Sequence, residues 1–175
     1  MFTLVIGGAA SGKSGYAEDL ILRSGTMPRT YIATMEPFDD ECRARIARHR
    51  ALRAQKCFET VECYTGLERL CLPDRRAVLL ECMSNLAANE LYSPRGAGRD
   101  AEAAILRGID VLLSQCRELV VVTGEVFSGG CNYKGDTLRY LQVLAAVNRA
   151  MAARADRVAE IVCGQAVYYK GKRPE

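Results

Sequence analysis

The chain of 175 residues has no tryptophan, one histidine and five prolines, and its formal net charge is only +3. A charge so small gives no ground for nucleic acid as a partner. No apolar run approaches the ~20 residues needed to cross a bilayer, which argues against a membrane span. Met1-Phe2-Thr3-Leu4-Val5-Ile6 has neither a basic leader nor a long apolar stretch, and it runs straight into glycines. It reads as the first strand of a fold, not as a signal peptide. None of the eight cysteines (Cys42, Cys57, Cys63, Cys71, Cys82, Cys116, Cys131, Cys163) belongs to a C-x-x-C pair. Neither a zinc site nor a dithiol redox pair is indicated, and without an export signal a disulfide scaffold is not expected. The expectation is reduced, mostly buried thiols in a cytoplasmic protein. At 49% hydrophobic and 26% charged, the composition excludes disordered, collagen-like and coiled-coil chains. The length fits one domain over residues 1–175, burying roughly two-thirds of its unfolded surface.

What is present is an alternation of short aliphatic runs with helical patterns. Strands are expected at Phe2–Ile6, Thr30–Thr34, Phe58–Val61, Ala77–Cys82, Leu119–Thr123 and Val158–Cys163, with a short one at Ala166–Tyr169. Apolar or small residues at 101, 104, 105, 108, 109, 112 and 113 make the one-sided stripe of a packed helix. Residues 137–153 carry a second such pattern, with Asp136 as the expected N-cap. Ala77-Val78-Leu79-Leu80 and Leu119-Val120-Val121-Val122 are continuous apolar runs, as strands covered on both faces should be. The expected fold is α/β, a mainly parallel sheet with helices on both faces. The loops at 93–99 and 124–135 follow central elements, where α/β proteins place their sites.

Gly7-Gly8-Ala9-Ala10-Ser11-Gly12-Lys13-Ser14 fits G-x-x-x-x-G-K-[ST] between a strand and a helical pattern. A chance match in a chain of this length is on the order of one per cent. Glycines let backbone N–H groups turn inward around phosphate oxygens. Lys13 would supply charge to the terminal phosphates, and the Ser14 hydroxyl would ligate Mg²⁺. The motif predicts binding of a nucleoside triphosphate, ATP or GTP. A P-loop also calls for a carboxylate near the metal at the end of a buried strand. Glu81 is the first candidate and Glu125 its competitor, and a solvent-facing strand terminus is the plain alternative for Glu81.

Residues 39–53 read as a helix with Asp39, Asp40 and Glu41 at its start and basic residues after them, which complements the helix dipole. Arg45, His49 and Arg53 share one face, with Lys56 expected a turn further along. Neighbouring cations would lower the proton affinity of His49 and keep its imidazole neutral and nucleophilic. A nucleophile beside phosphate-binding arginines suits nucleotidyl transfer through a phosphoramidate. The plain alternative is a solvated basic helix that contains a histidine.

The P-loop, Tyr31-Ile32-Ala33-Thr34, Asp39-Asp40-Glu41 and Arg45-Ile46-x-x-His49-Arg50-x-x-Arg53 resemble one family in order and spacing. So do Glu62-Cys63, Leu79-Leu80-Glu81-Cys82, Val122-Thr123-x-Glu125-Val126, Asn148, Ala155-Asp156-x-Val158 and Lys170-Gly171. It is the bifunctional adenosylcobinamide kinase / adenosylcobinamide-phosphate guanylyltransferase family of cobalamin biosynthesis. The resemblance implies phosphorylation of the aminopropanol hydroxyl of adenosylcobinamide, a corrinoid, by ATP or GTP. It further implies transfer of GMP from GTP to a histidine, with loss of pyrophosphate, and then to adenosylcobinamide phosphate, giving adenosyl-GDP-cobinamide. The family's guanylylated histidine falls on His49. Its nucleotide contacts fall on Gly7, Gly8, Ala9, Ala10, Ser11, Gly12, Lys13 and Ser14, on Ala33, Thr34 and Met35, on Arg50, Ala51, Leu52 and Arg53, and on Glu62 and Glu81. Ser14 and Glu81 would hold the metal. A RecA-like P-loop core and a homotrimer are also implied. Two alternatives stand beside this: a transferase keeping one half-reaction, and a regulatory P-loop protein, which would have no need of a histidine among arginines.

Overall fold

Apolar runs alternating with amphipathic stretches build a seven-stranded sheet flanked by helices, in the order β3-β2-β4-β5-β1-β6-β7. The structure, a computed structural model, describes residues 1–174 apart from 74 and 131, and describes only the backbone at 41, 45, 49 and 52–54. The strands are β1 (Phe2–Gly7), β2 (Arg29–Ala33), β3 (Phe58–Glu62), β4 (Ala77–Glu81), β5 (Glu118–Gly124), β6 (Arg157–Val162) and β7 (Gln165–Lys170). All neighbours pair in parallel except β6 and β7, which form an antiparallel hairpin. The expected mainly parallel α/β architecture is present, with strand ends within a residue or two of those expected.

The continuous runs arise because neighbouring residues enter different cores. Leu4, Ile32, Leu80 and Val121 pack on one face, against Leu86 of α3 (Met83–Tyr92), Ile105 and Ile109 of α4 (Ala101–Gln115) and Leu144, Val147 and Met151 of α5 (Gly135–Arg154). Val5, Tyr31, Leu79, Val120 and Val122 pack on the other, against Ala17 and Ile21 of α1 (Lys13–Arg23). Each fully buried aliphatic side chain contributes about 1.5–3 kcal/mol of transfer free energy.

Two details differ from expectation. Helix α3 was not anticipated from the sequence, and α5 begins at Gly135 with Lys134 ahead of it, so Asp136 lies inside the first turn and makes no capping bond. Gly135 stands at the helix entrance with φ +59°, a left-handed turn that glycine adopts without strain. The expected acidic start of α2 (Asp40–Arg53) is realised by Asp39, whose Oδ1 accepts the Cys42 N–H at 2.6 Å. None of the described helices is long and apolar enough to cross a membrane.

Candidate functional site

The carboxyl ends of the parallel strands meet along one edge of the sheet, where α/β folds bind ligands. There β1 passes into the loop 8–12 and then α1. Gly7 is in register with Gly124 of β5 and Ile161 of β6, so the loop leaves from between two strands. Its frame is external: Glu125 N–H donates to Gly7 O at 3.0 Å and Gly164 N–H to Ser11 O at 2.9 Å. Gly12, at φ +91°, turns the chain into α1, whose N-terminal amides face an anion's approach. Lys13 Nζ donates to Gly8 O at 2.8 Å, so the ammonium stays over its own loop. The Ser11 hydroxyl is buried without a partner.

Beside the loop stands Glu81 at the end of β4. Ser14 donates its hydroxyl to Glu81 Oε1, and Tyr31 donates its phenol to Glu81 Oε2 at 3.0 Å. Tyr31 is buried and is set edge-on to Phe58, with ring centroids 6.4 Å apart. Glu125, the competing carboxylate, instead accepts from Ser128 Oγ at 2.6 Å and Phe127 N–H at 2.9 Å. Those bonds, Ser128's first, hold its carboxyl below the usual range and turn it onto its own loop. A hydroxyl and a carboxylate in contact are hard oxygen donors that fit Mg²⁺. Among the described residues no group of three His, Cys, Asp or Glu could hold a metal, so the nucleotide would supply the remaining oxygens.

Register places Glu62, Ala33 and Glu81 side by side across β3, β2 and β4. Thr34 is fully buried; its Oγ1 donates to Cys82 O at 2.8 Å and accepts Cys82 N–H at 2.7 Å. Its side chain therefore pins two strand ends together, while Met35 is half-buried. Glu62 accepts from Arg50 of α2 and, at 2.8 Å, from Tyr64. Burial first, and then that bond to Glu62, push the Tyr64 phenol up to about 12, so it remains a donor at neutral pH. Arg43, Ile46, Ala47 and Arg50 of α2 line a cleft of about 340 Å³ with Glu62 and Tyr64. A second cleft, about 300 Å³, runs from Glu62 to Leu70 and reaches Arg95.

The structure thus draws Gly7–Ser14, Ala33–Met35, Arg50, Glu62 and Glu81 to one edge. Ala51 is exposed on α2; the side chains of His49, Leu52 and Arg53 lie outside the described residues. Lys56 is not a further turn of α2. The chain tightens into a 3-10 turn at Ala54–Lys56, and Lys56 pairs with Glu18 of α1, whose buried carboxylate needs a cation. Sequence reasoning passed over Tyr31 as a partner of the acid, although Tyr31 and Ala33 share a strand face by simple alternation. It also passed over Tyr64 and Arg95, which no motif singles out.

The profile of the family described as cobinamide kinase / cobinamide phosphate guanyltransferase matches residues 3–168. The bifunctional adenosylcobalamin biosynthesis protein CobU of Salmonella typhimurium is 37% identical, over 97% of this chain and all of that one. The Escherichia coli K12 protein of the same name is 35% identical over the same shares, and CobP of Pseudomonas aeruginosa is 30% identical over 98% and 99%. Among solved structures, the flagellar accessory protein FlaH of Methanocaldococcus jannaschii superposes with a TM-score of 0.51 at 11% identity, covering 98% of this chain and 78% of that one. The RadB recombinase gives 0.51 at 18%, covering 99% and 83%. These two likenesses concern the fold alone, which is P-loop and RecA-like.

Proposed function

This chain belongs to the cobinamide kinase / cobinamide phosphate guanyltransferase family, a kinase and nucleotidyltransferase of cobalamin biosynthesis, and on that footing we propose how its own residues divide the work. The loop from Gly7 to Ser14 holds the triphosphate of ATP or GTP through backbone amides and Lys13. Ala33, Thr34 and Met35, with Arg50, Ala51, Leu52, Arg53 and Glu62, surround the rest of the nucleotide. Ser14 and Glu81 hold Mg²⁺, which supplies charge to offset that on the phosphates. Tyr31 fixes the second oxygen of Glu81.

In the kinase step the corrinoid's hydroxyl oxygen bonds to the γ-phosphorus, its proton passes to solvent, and the nucleoside diphosphate leaves with the electrons of the broken P–O bond. In the second activity a ring nitrogen of His49 bonds to the α-phosphorus of GTP and pyrophosphate leaves. The arginines of α2 offset the charge that develops. The observation that supports one shared site is the row Glu62–Ala33–Glu81, with Ser14 bonded at one end and Arg50 at the other. On the same reading the protein works as one domain, in the cytoplasm, as a homotrimer, and it should therefore sediment at three times its 19.2 kDa chain mass.

Labelled GTP tests the histidine step. Label at the α-phosphate should stay on the protein in a bond stable to alkali and labile to acid, and label at the γ-phosphate should leave. His49→Ala should take up no label while still binding GTP. Absence of α-label on the wild type, or its persistence in His49→Ala, would overturn the mechanism.

A further inference from the structure

The transfer step brings two anions together, because the acceptor's phosphomonoester must approach a phosphorus that already carries negative oxygens. Cations not committed elsewhere are required close to α2. Most arginines around the clefts are committed. Arg43 bonds Asp40 and Pro37 O, Arg50 bonds Glu62, Arg76 bonds Glu59 and Thr30, and Arg107 bonds Glu68. Two are not. Arg69 has no ion-pair or hydrogen-bond partner among the described residues, and its guanidinium lies over the Gly66 turn. Arg95 reaches one carboxylate, Glu36 at 3.7 Å, beyond hydrogen-bonding distance.

Both arginines line the 300 Å³ cleft, which shares Glu62 and Tyr64 with the cleft along α2. Among the described residues the carboxylate lining it is that of Glu62, already compensated by Arg50 and Tyr64. The two arginines ride on separate segments that one buried group ties together. Glu90, 2% exposed, accepts Gly66 N–H at 2.6 Å on one oxygen and Ala97 N–H at 2.9 Å on the other. The turn carrying Arg69 and the loop carrying Arg95 are thereby held at a fixed separation before any ligand arrives, a pre-organised pair of guanidinium forks.

We propose that this cleft is the acceptor-phosphate subsite, in which Arg69 and Arg95 together hold the phosphomonoester of cobinamide phosphate beside the guanylylated helix. The inference rests on the reading that GMP passes through His49. An oxygen of the held phosphate bonds to the GMP phosphorus as the P–N bond breaks. The electron pair of that bond returns to the ring nitrogen, restoring the neutral imidazole that began the cycle, and a P–O–P linkage is left in the product.

The test starts from enzyme charged with α-labelled GTP and chased with cobinamide phosphate. Arg69→Ala and Arg95→Ala should charge within about twofold of wild type, yet need roughly tenfold more acceptor phosphate for half-maximal chase, the equivalent of one charge-assisted bond. Arg69→Lys and Arg95→Lys should recover part of the loss. In the kinase assay, the KM for unphosphorylated adenosylcobinamide should not change. An unaltered chase in both alanine variants would overturn the subsite, as would loss of charging, which would assign the arginines to the donor nucleotide. An equal KM rise for the unphosphorylated acceptor would also overturn it, because the arginines would then hold the corrinoid body. Failure of the wild type to charge would sink the histidine step instead. The subsite would then stand or fall on whether the alanine variants raise the steady-state KM for the phosphorylated acceptor and leave that for the unphosphorylated one unchanged.

Discussion

Gly7, the last residue of β1, and Gly8, the first of the loop, are neighbours, and the structure predicts unequal responses to the same added methyl group. A Cβ at Gly7 would lie 2.5 Å from Ser11 Oγ and 2.9 Å from the carbonyl oxygen of Ile161. The serine hydroxyl can rotate away. The Ile161 oxygen cannot, since Ile161 is a β6 residue held in parallel register with Gly7 itself. Relief must come from parting β1 and β6 or from shifting the loop. Overpacking of this kind costs about 1–3 kcal/mol. In a chain of this size each kcal/mol moves the melting temperature by about 2–4 °C, so Gly7→Ala should melt about 2–12 °C lower. A shifted loop also misaims its amides at the phosphates. Losing one hydrogen bond to a charged group, about 1.5–3 kcal/mol, weakens GTP binding roughly ten- to a hundredfold. A Cβ at Gly8 meets nothing within 4 Å. Gly8→Ala should therefore melt within about 2 °C of wild type, as surface changes near ±0.5 kcal/mol do. Scanning calorimetry reads the first quantity and isothermal titration with GTP the second. The reasoning fails if Gly7→Ala melts and binds like wild type, or if Gly8→Ala melts as low as Gly7→Ala.

Lys13→Ala removes the loop's fixed cation and should abolish tight triphosphate binding; normal GTP affinity by calorimetry would contradict the assignment of the loop. Glu90→Gln leaves one of the two N–H donors, at Gly66 or Ala97, facing an amide instead of a carboxylate oxygen. Its denaturant midpoint should fall by the equivalent of about 1–3 kcal/mol, and an unchanged midpoint would show that neither bond matters. Burial pushes the thiols of Cys63 and Cys116 up to about 11 from 9.0. Their folded values lie above the unfolded one, so their stabilising effect is complete below pH 9.0 and is lost as pH rises towards 11. Urea titrations from pH 8 to 11 should therefore show a smaller alkaline loss when both cysteines are replaced by alanine. Alkylation at pH 8 with mass-spectrometric mapping should label exposed Cys57, Cys71 and Cys163 well before Cys63 or Cys116.

What could be read in the sequence was what depends on neighbours along the chain. The phosphate loop, the doubly buried β4 and β5 and the striped α4 are local patterns, and each stands where expected. Helix α3 was hidden because its buried side includes Asn89 and Glu90. Polar residues there interrupt an apolar stripe, yet Asn89 is satisfied by Thr34 O and Tyr64 O, and Glu90 by two backbone amides. No spacing rule foresees such partners, which come from segments up to 55 residues away. The same holds for the candidate site. Lys13 and Ser14 announce themselves by motif, whereas the contact of Glu81 with Tyr31 follows from strand order and that of Glu62 with Arg50 from where α2 lies beside β3. Lys56 was misplaced because helical periodicity was carried past Arg53, where α2 ends.

The strand order also has a temporal side. Synthesis is vectorial, and β1 emerges from the ribosome first, but the strands that enclose it are β5 and β6. At about 5–20 residues per second, some 8–30 s separate the translation of Gly7 from that of its register partner Ile161. Until β5 is made both edges of an apolar strand are bare, and one stays bare until β6 follows, which is a standing invitation to pair with other chains. The amides that brace the loop, from Glu125 and Gly164, are among the later ones to be made. A nascent chain therefore carries its phosphate-binding residues, complete in covalent form, through most of translation before anything shapes them into a cradle.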